Sequence, residues 1–167
     1  MPTVIHVKKA RKDNKAAGIK KGQEYWYWSH QSGGRFVKTY FKTKPTRSQT
    51  TSSDFYATAY DLEDQLSSLI RDFNKGGVID VGDIQSNLEG LANDVRELGE
   101  QQTEKHDNMP DGLQESETGQ LLSDRADACE TTAQNLEDAA QEISNLDIAS
   151  DLAEEVSGIL DSISWEL

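Results

Sequence analysis

At 167 residues, the chain is long enough for a small module and a helical domain, and its one cysteine, Cys129, excludes an intrachain disulfide. Hydrophobic residues make up 35%, below the roughly 45–50% of ordinary globular domains counted with glycine; a thick core is excluded, and narrow helix–helix seams fit better. The net charge of −13 averages two opposite halves: residues 1–50 hold twelve basic and two acidic side chains, a net of +10, and the remainder holds five and twenty-eight, a net of −23.

In chain order, Thr3–Val7 is a β-branched run that predicts a strand. The basic stretch from Lys8 to Gln23 reads as a loop. Glu24–Gln31 and Arg35–Phe41 flank Ser32-Gly33-Gly34, which predicts a β-hairpin. Pairing Gln31 with Arg35 would place Trp26, Trp28, His30, Phe36, Lys38 and Tyr40 on one face, and Tyr25, Tyr27, Ser29, Val37, Thr39 and Phe41 on the other. Residues 1–42 are therefore expected as a basic, aromatic hairpin module. The Pro45-containing, Ser/Thr-rich stretch 43–53 is expected as a linker.

Residues 54–167 predict an acidic helical domain, with helices over about 54–74, 80–106, 118–144 and 148–165. Ser53 is the expected N-cap of the first, and Gly76-Gly77 its end. The apolar positions alternate steps of three and four. The seam residues include Leu62 and Leu66 in the first helix, Leu88, Leu91 and Val95 in the second, and Cys129 and Leu136 in the third. Ala126, Cys129, Ala133 and Ala140 make the third seam small, so a neighbouring helix can approach closely. The fold class expected is mainly α: an antiparallel helical bundle or coiled-coil hairpins, with a small N-terminal β-hairpin module. So thin a core also favours self-association into a homo-oligomer.

Basic side chains interleaved with aromatics suit nucleic acid, because Lys and Arg neutralise phosphates while aromatic rings stack on bases. Trp26, Trp28, Lys38 and Tyr40, flanked by Lys8, Lys9, Arg11 and Lys12, form the candidate platform. The same residues also read as the core of a tiny domain with solubilising lysines. The acidic helices read as a solvated surface or, in imitation of rows of phosphates, as an inhibitor of a basic host protein. A scaffolding role is a third reading.

Asp107–Thr118 has Asp107, Asp111 and Gly112 where an EF-hand loop has positions one, five and six. Met109 stands where a ligand is required, and Thr118 replaces the bidentate Glu, so a helix–helix turn is expected and no metal. The chain has no GxxxxGK[ST], GxSxG or HExxH, and no cofactor or catalytic activity is expected. With no apolar run of the roughly 18 residues that span a bilayer, and no apolar stretch in Met1–Ala10, a cytosolic protein without membrane contact is expected.

Two sets of strings resemble a family of small proteins of tailed bacteriophages. The first set is Val7–Asn14, Gly18–Gly22, Tyr25–Trp28 and Pro45–Gln49; the second is Asp107–Gln114 and Thr118–Leu122. The resemblance implies a phage origin and expression in the cytoplasm of an infected bacterium, and no activity comes with it. The hairpin followed by Lys/Arg-Thr is also similar to the arm-type DNA-binding segments of phage integrases. That likeness implies binding only, since the chain lacks a recombinase catalytic domain.

Overall fold

A computed structural model describes residues 4–75, 81–145, 152–163 and 165. The chain is mainly helical, with a small antiparallel sheet near its N-terminus. It divides into two units, Met1–Tyr60 and Asp61–Leu167.

The first unit is built on strands β1 (Val4–Val7), β2 (Tyr25–Ser32) and β3 (Arg35–Phe41), in the order β1-β2-β3. Ser32 pairs with Arg35, leaving a two-residue turn of Gly33 and Gly34 with φ of 56° and 78°. Two consecutive positive φ values define the type I′ turn, whose twist matches that of the flanking strands and which glycine enters without strain. This corrects the expected register by one residue. A one-residue slip in a strand of period two moves every side chain of β3 to the other face. Trp26, Trp28 and His30 therefore share a face with Val37, Thr39 and Phe41, while Tyr25 and Tyr27 share one with Phe36, Lys38 and Tyr40.

The 8–23 stretch, expected as a loop, is a compact extension of the β1–β2 connection. The Ala10 N–H donates to the Gln23 carbonyl at 2.8 Å, and the Gly22 N–H to the Ala10 carbonyl at 2.9 Å. Asn14 and Ile19 exchange two backbone bonds of 2.8 and 3.0 Å. Ala10 and Ile19 are buried, which fixes the loop at these two apolar residues.

The 43–53 stretch, expected as a linker, has local structure of its own. It carries a 3-10 turn at Ser48–Thr50, and the buried Thr50 hydroxyl donates to the Thr46 and Arg47 carbonyls. The Arg47 guanidinium lies 4.0 Å from the Tyr60 ring centre, a cation–π contact. The first unit thus extends past residue 42 to Tyr60.

Helix α1 (Asp54–Asn74) begins as expected, with the Tyr56 N–H reaching the Ser53 hydroxyl at 3.5 Å and the Ala57 N–H donating to the Ser53 carbonyl at 2.9 Å. The boundary between units falls inside it. The Gly76-Gly77 stop lies outside the described residues.

In the second unit, α2 (Val81–Asp107) and α4 (Glu117–Ser144) pack as an antiparallel hairpin. Between them is α3 (Asp111–Gln114), a single turn inside the segment expected as a plain Pro-Asp-Gly turn. Ser116 caps α4, its hydroxyl accepting from the Gly119 N–H at 3.3 Å. Helix α5 (Leu152–Ser162) packs on α4. It ends before Ile163 and Trp165, so the helix expected to reach 165 is shorter; its expected start at 148 lies outside the described residues.

Of the seam residues singled out above, Leu62, Leu66, Leu88, Leu91, Val95, Cys129, Ala133, Leu136 and Ala140 are buried and Ala126 is half-buried. Burial is wider than a two-position stripe. Ala92 and Gly99 on α2, and Thr132 and Ala139 on α4, are buried beside the seam. The hairpin closes tightly where Gly99 meets Cys129: a Cβ at Gly99 would stand 2.8 Å from the Cys129 Cβ. Towards solvent, Arg96 ties the helices through Glu137 at 2.9 Å and Glu130 at 3.4 Å. No helix among the described residues is long and apolar enough to cross a membrane.

Candidate nucleic-acid interface

The expected platform divides between the two faces of the sheet. Trp28 is 7% exposed and stacks on His30, with ring centres 4.0 Å apart and planes 19° apart. Trp26 is half-buried and stacks on its cross-strand partner His6 at 4.4 Å, with His6 Nε2 3.4 Å from Glu24. These rings already have partners, so Trp28 is a core residue and Trp26 a covered one. Neither joins Lys38 and Tyr40, because the I′ turn places β3 one residue from the register expected.

The opposite face gathers a different set. Tyr25, Tyr27 and Tyr40 form a mutually tilted triad, with ring centres 6.0–6.4 Å apart. The Lys38 ammonium sits 4.8 Å from the centre of the Tyr27 ring. Tyr40 is 37% exposed, and Phe36, further along β3, is 83% exposed. Such an aromatic surface, edged by cations, is unusual for a side chain set that only fills a core.

Beside this face lies a groove of about 410 Å³. It is lined by Val7, Tyr25 and Tyr40 of the sheet and by Lys9, Arg11, Lys12 and Lys15 of the β1–β2 extension. The extension is what makes the groove. Its backbone pairs hold the loop beside the sheet, and buried Ile19 anchors it, so lysines remote from Tyr40 in sequence converge on one concavity. Asp13 also lines the groove, and its carboxylate accepts from the Lys21 N–H at 2.7 Å. That bond offsets part of its repulsion for an anion. Lys8 is exposed but does not line the groove.

Of the residues proposed from sequence, Lys9, Arg11, Lys12 and Tyr40 therefore come together, with Lys38 on the same sheet face. Sequence reasoning missed Lys15 and placed Tyr25 and Tyr27 on the wrong side. The available signal was the adjacent Gly33-Gly34 pair, which favours a two-residue I′ turn over a three-residue loop.

On the helical unit, an open polar groove between α2 and α4 is lined by Glu89, Asn93, Gln134, Glu137, Asp138 and Gln141. No group of His, Cys, Asp and Glu among the described residues is arranged to hold a metal ion. No family model, curated protein or solved structure matches the chain.

Proposed function

We propose that the chain is a phage accessory protein that contacts nucleic acid through its N-terminal unit and uses its acidic helices for protein contacts or self-association. The observation that carries this reading is the groove that joins Tyr25 and Tyr40 to Lys9, Arg11, Lys12 and Lys15. Cations beside exposed rings supply both terms of nucleic-acid affinity, counterion release and stacking. The role is binding, not catalysis, in the cytoplasm of an infected bacterium.

The test is a titration of nucleic acid into the full-length protein over a range of salt concentrations. Affinity should fall steeply as salt rises. Lys9→Ala should weaken binding and flatten the salt slope by about one unit on duplex DNA. Absence of binding even at low salt would remove this function.

A second reading makes the helical unit an inhibitor that occupies a basic cleft on a host or defence protein. It draws on the acidic groove of Glu89, Glu137 and Asp138 and on the −23 charge of residues 51–167. Here Glu89→Gln with Asp138→Asn should weaken capture of a basic partner, whereas Lys9→Ala should leave it unchanged.

A further inference from the structure

We infer that the groove between the β1–β2 extension and the sheet takes an unpaired nucleotide, so that the ligand is a single strand in preference to a duplex. The inference rests on the nucleic-acid reading above and adds the class of strand.

The shape of the site carries it. To read or stack on bases, a protein must either push a protruding element into a duplex groove or receive bases that are not stacked in a helix. The tyrosines line a concavity rather than a protruding element: Tyr25 is half-buried, Tyr40 is 37% exposed, and both border the groove. A duplex laid over that concavity would bring its phosphates to the lysines, but its bases, stacked inside, would not reach the rings. An unpaired strand can turn a base into the wall while its phosphates remain outside.

The size agrees. A volume of about 410 Å³ lies within the range of small-ligand sites, about 300–1,000 Å³, and suits a base and its sugar. Charge is placed for the backbone, because Lys9, Arg11 and Lys12 line the same groove as Tyr40. The ring geometry sets how the base would lie. The Tyr25 and Tyr40 ring centres are 6.0 Å apart with planes 47° apart, so they form no parallel slot. A base would therefore lie against the exposed side of Tyr40 and not between two rings. The exposed Phe36 further along the same face gives a following base a second apolar surface.

The experiment measures binding of full-length protein to a labelled oligothymidine, to the same strand with several bases replaced by abasic sites, and to a blunt duplex of equal length. The single strand should bind more tightly than the duplex. Loss of the bases should weaken single-strand binding about ten-fold or more and bring it down to the duplex level. Tyr40→Ala should reproduce that loss, and Tyr40→Phe should largely retain affinity. The abasic strand tests the idea even if Tyr40→Ala does not fold. Equal or tighter binding to the duplex, or equal binding to the abasic strand, would overturn the inference while leaving nucleic-acid contact intact. Failure of every nucleic acid to bind at low salt would overturn both.

Discussion

Gly99 and Cys129 meet at a point of close approach in the α2–α4 hairpin, and two opposing effects act on any change at Gly99. Gly99→Ala should gain up to about 1 kcal/mol of helix propensity. It would also place a Cβ 2.8 Å from the Cys129 Cβ, where real Cβ atoms are essentially never found. Overpacking of this kind costs about 1–3 kcal/mol, so the net should be a loss of up to about 2 kcal/mol in urea unfolding. Gly90→Ala is the control, since a Cβ there meets nothing within 4 Å, and it should stabilise. The Cys129 thiol is fully buried, and burial pushes its pKa from 9.0 up to about 11. In the unfolded chain the thiol ionises near its ordinary value, so its contribution to stability is complete below pH 9. That contribution is lost as pH rises through about 11, and amounts to about 3 kcal/mol. Comparing alkaline unfolding of the wild type with Cys129→Ala isolates it. Thiol reagents at pH 8 should label Cys129 only after unfolding.

Among the elements, the hairpin of α2 and α4 is held by its apolar seam far more than by its ion pairs. Leu88, Val95 and Leu136 are fully buried, and truncation of such a leucine typically costs about 2–5 kcal/mol. Leu136→Ala should therefore lower the urea midpoint substantially. Arg96 spans the helices to Glu130 and Glu137, and the Glu137 hydrogen bond raises the guanidinium pKa. Those carboxylates are largely solvated, and pairs of this kind contribute about 0–1 kcal/mol. Arg96→Met should thus shift the midpoint by less than a quarter of the Leu136→Ala effect; an equal shift would show that the polar ties matter as much as the seam. In the sheet, the turn is the element that decides which side chains face the groove. Extending Gly33-Gly34 by one residue would permit the alternative register, exchange the faces of β3 and remove Tyr40 from the groove.

At the scale of the whole molecule, charge is the dominant variable. Residues 1–50 and the rest carry +10 and −23, so the acidic part opposes approach of a polyanion to the groove. Screening decides the outcome: the Debye length is about 8 Å at physiological ionic strength and about 30 Å at 0.01 M. Lowering salt strengthens attraction to the groove lysines and also strengthens repulsion by the helices. Affinity for nucleic acid should consequently rise less steeply at the lowest salt than lysine contacts alone would produce. Neutralising exposed acids, as in Glu97→Gln with Glu100→Gln, should raise affinity more at low salt than at high salt, because salt screens exposed charges. The α2–α4 seam residues Leu88, Val95 and Leu136 are buried within a single chain, so self-association must use surfaces other than that seam. Light scattering over a concentration series measures this directly, and Leu91→Asp should melt the helices without first dissociating an oligomer.

The helices could be read directly from sequence, because a local period of three and four residues between apolar positions is itself the cause of the amphipathic helix. Leu62 through Leu136 were assignable to seams without any knowledge of their partners. The small third seam likewise announced a close approach. What sequence did not reveal was that Gly99 supplies the other side, since that pairing joins residues thirty positions apart. The basic and aromatic character of residues 1–50 was equally plain as composition. Which rings face the lysines was not, because strand faces depend on register, and register depends on a turn of two glycines. Tertiary structure placed Trp28 in the core, brought Tyr25 and Tyr40 to the groove and folded the Lys9–Lys15 loop against them. The physical reason is that a helix takes its exposed and buried faces from its own period, whereas a sheet takes them from the strands and loops that pair with it.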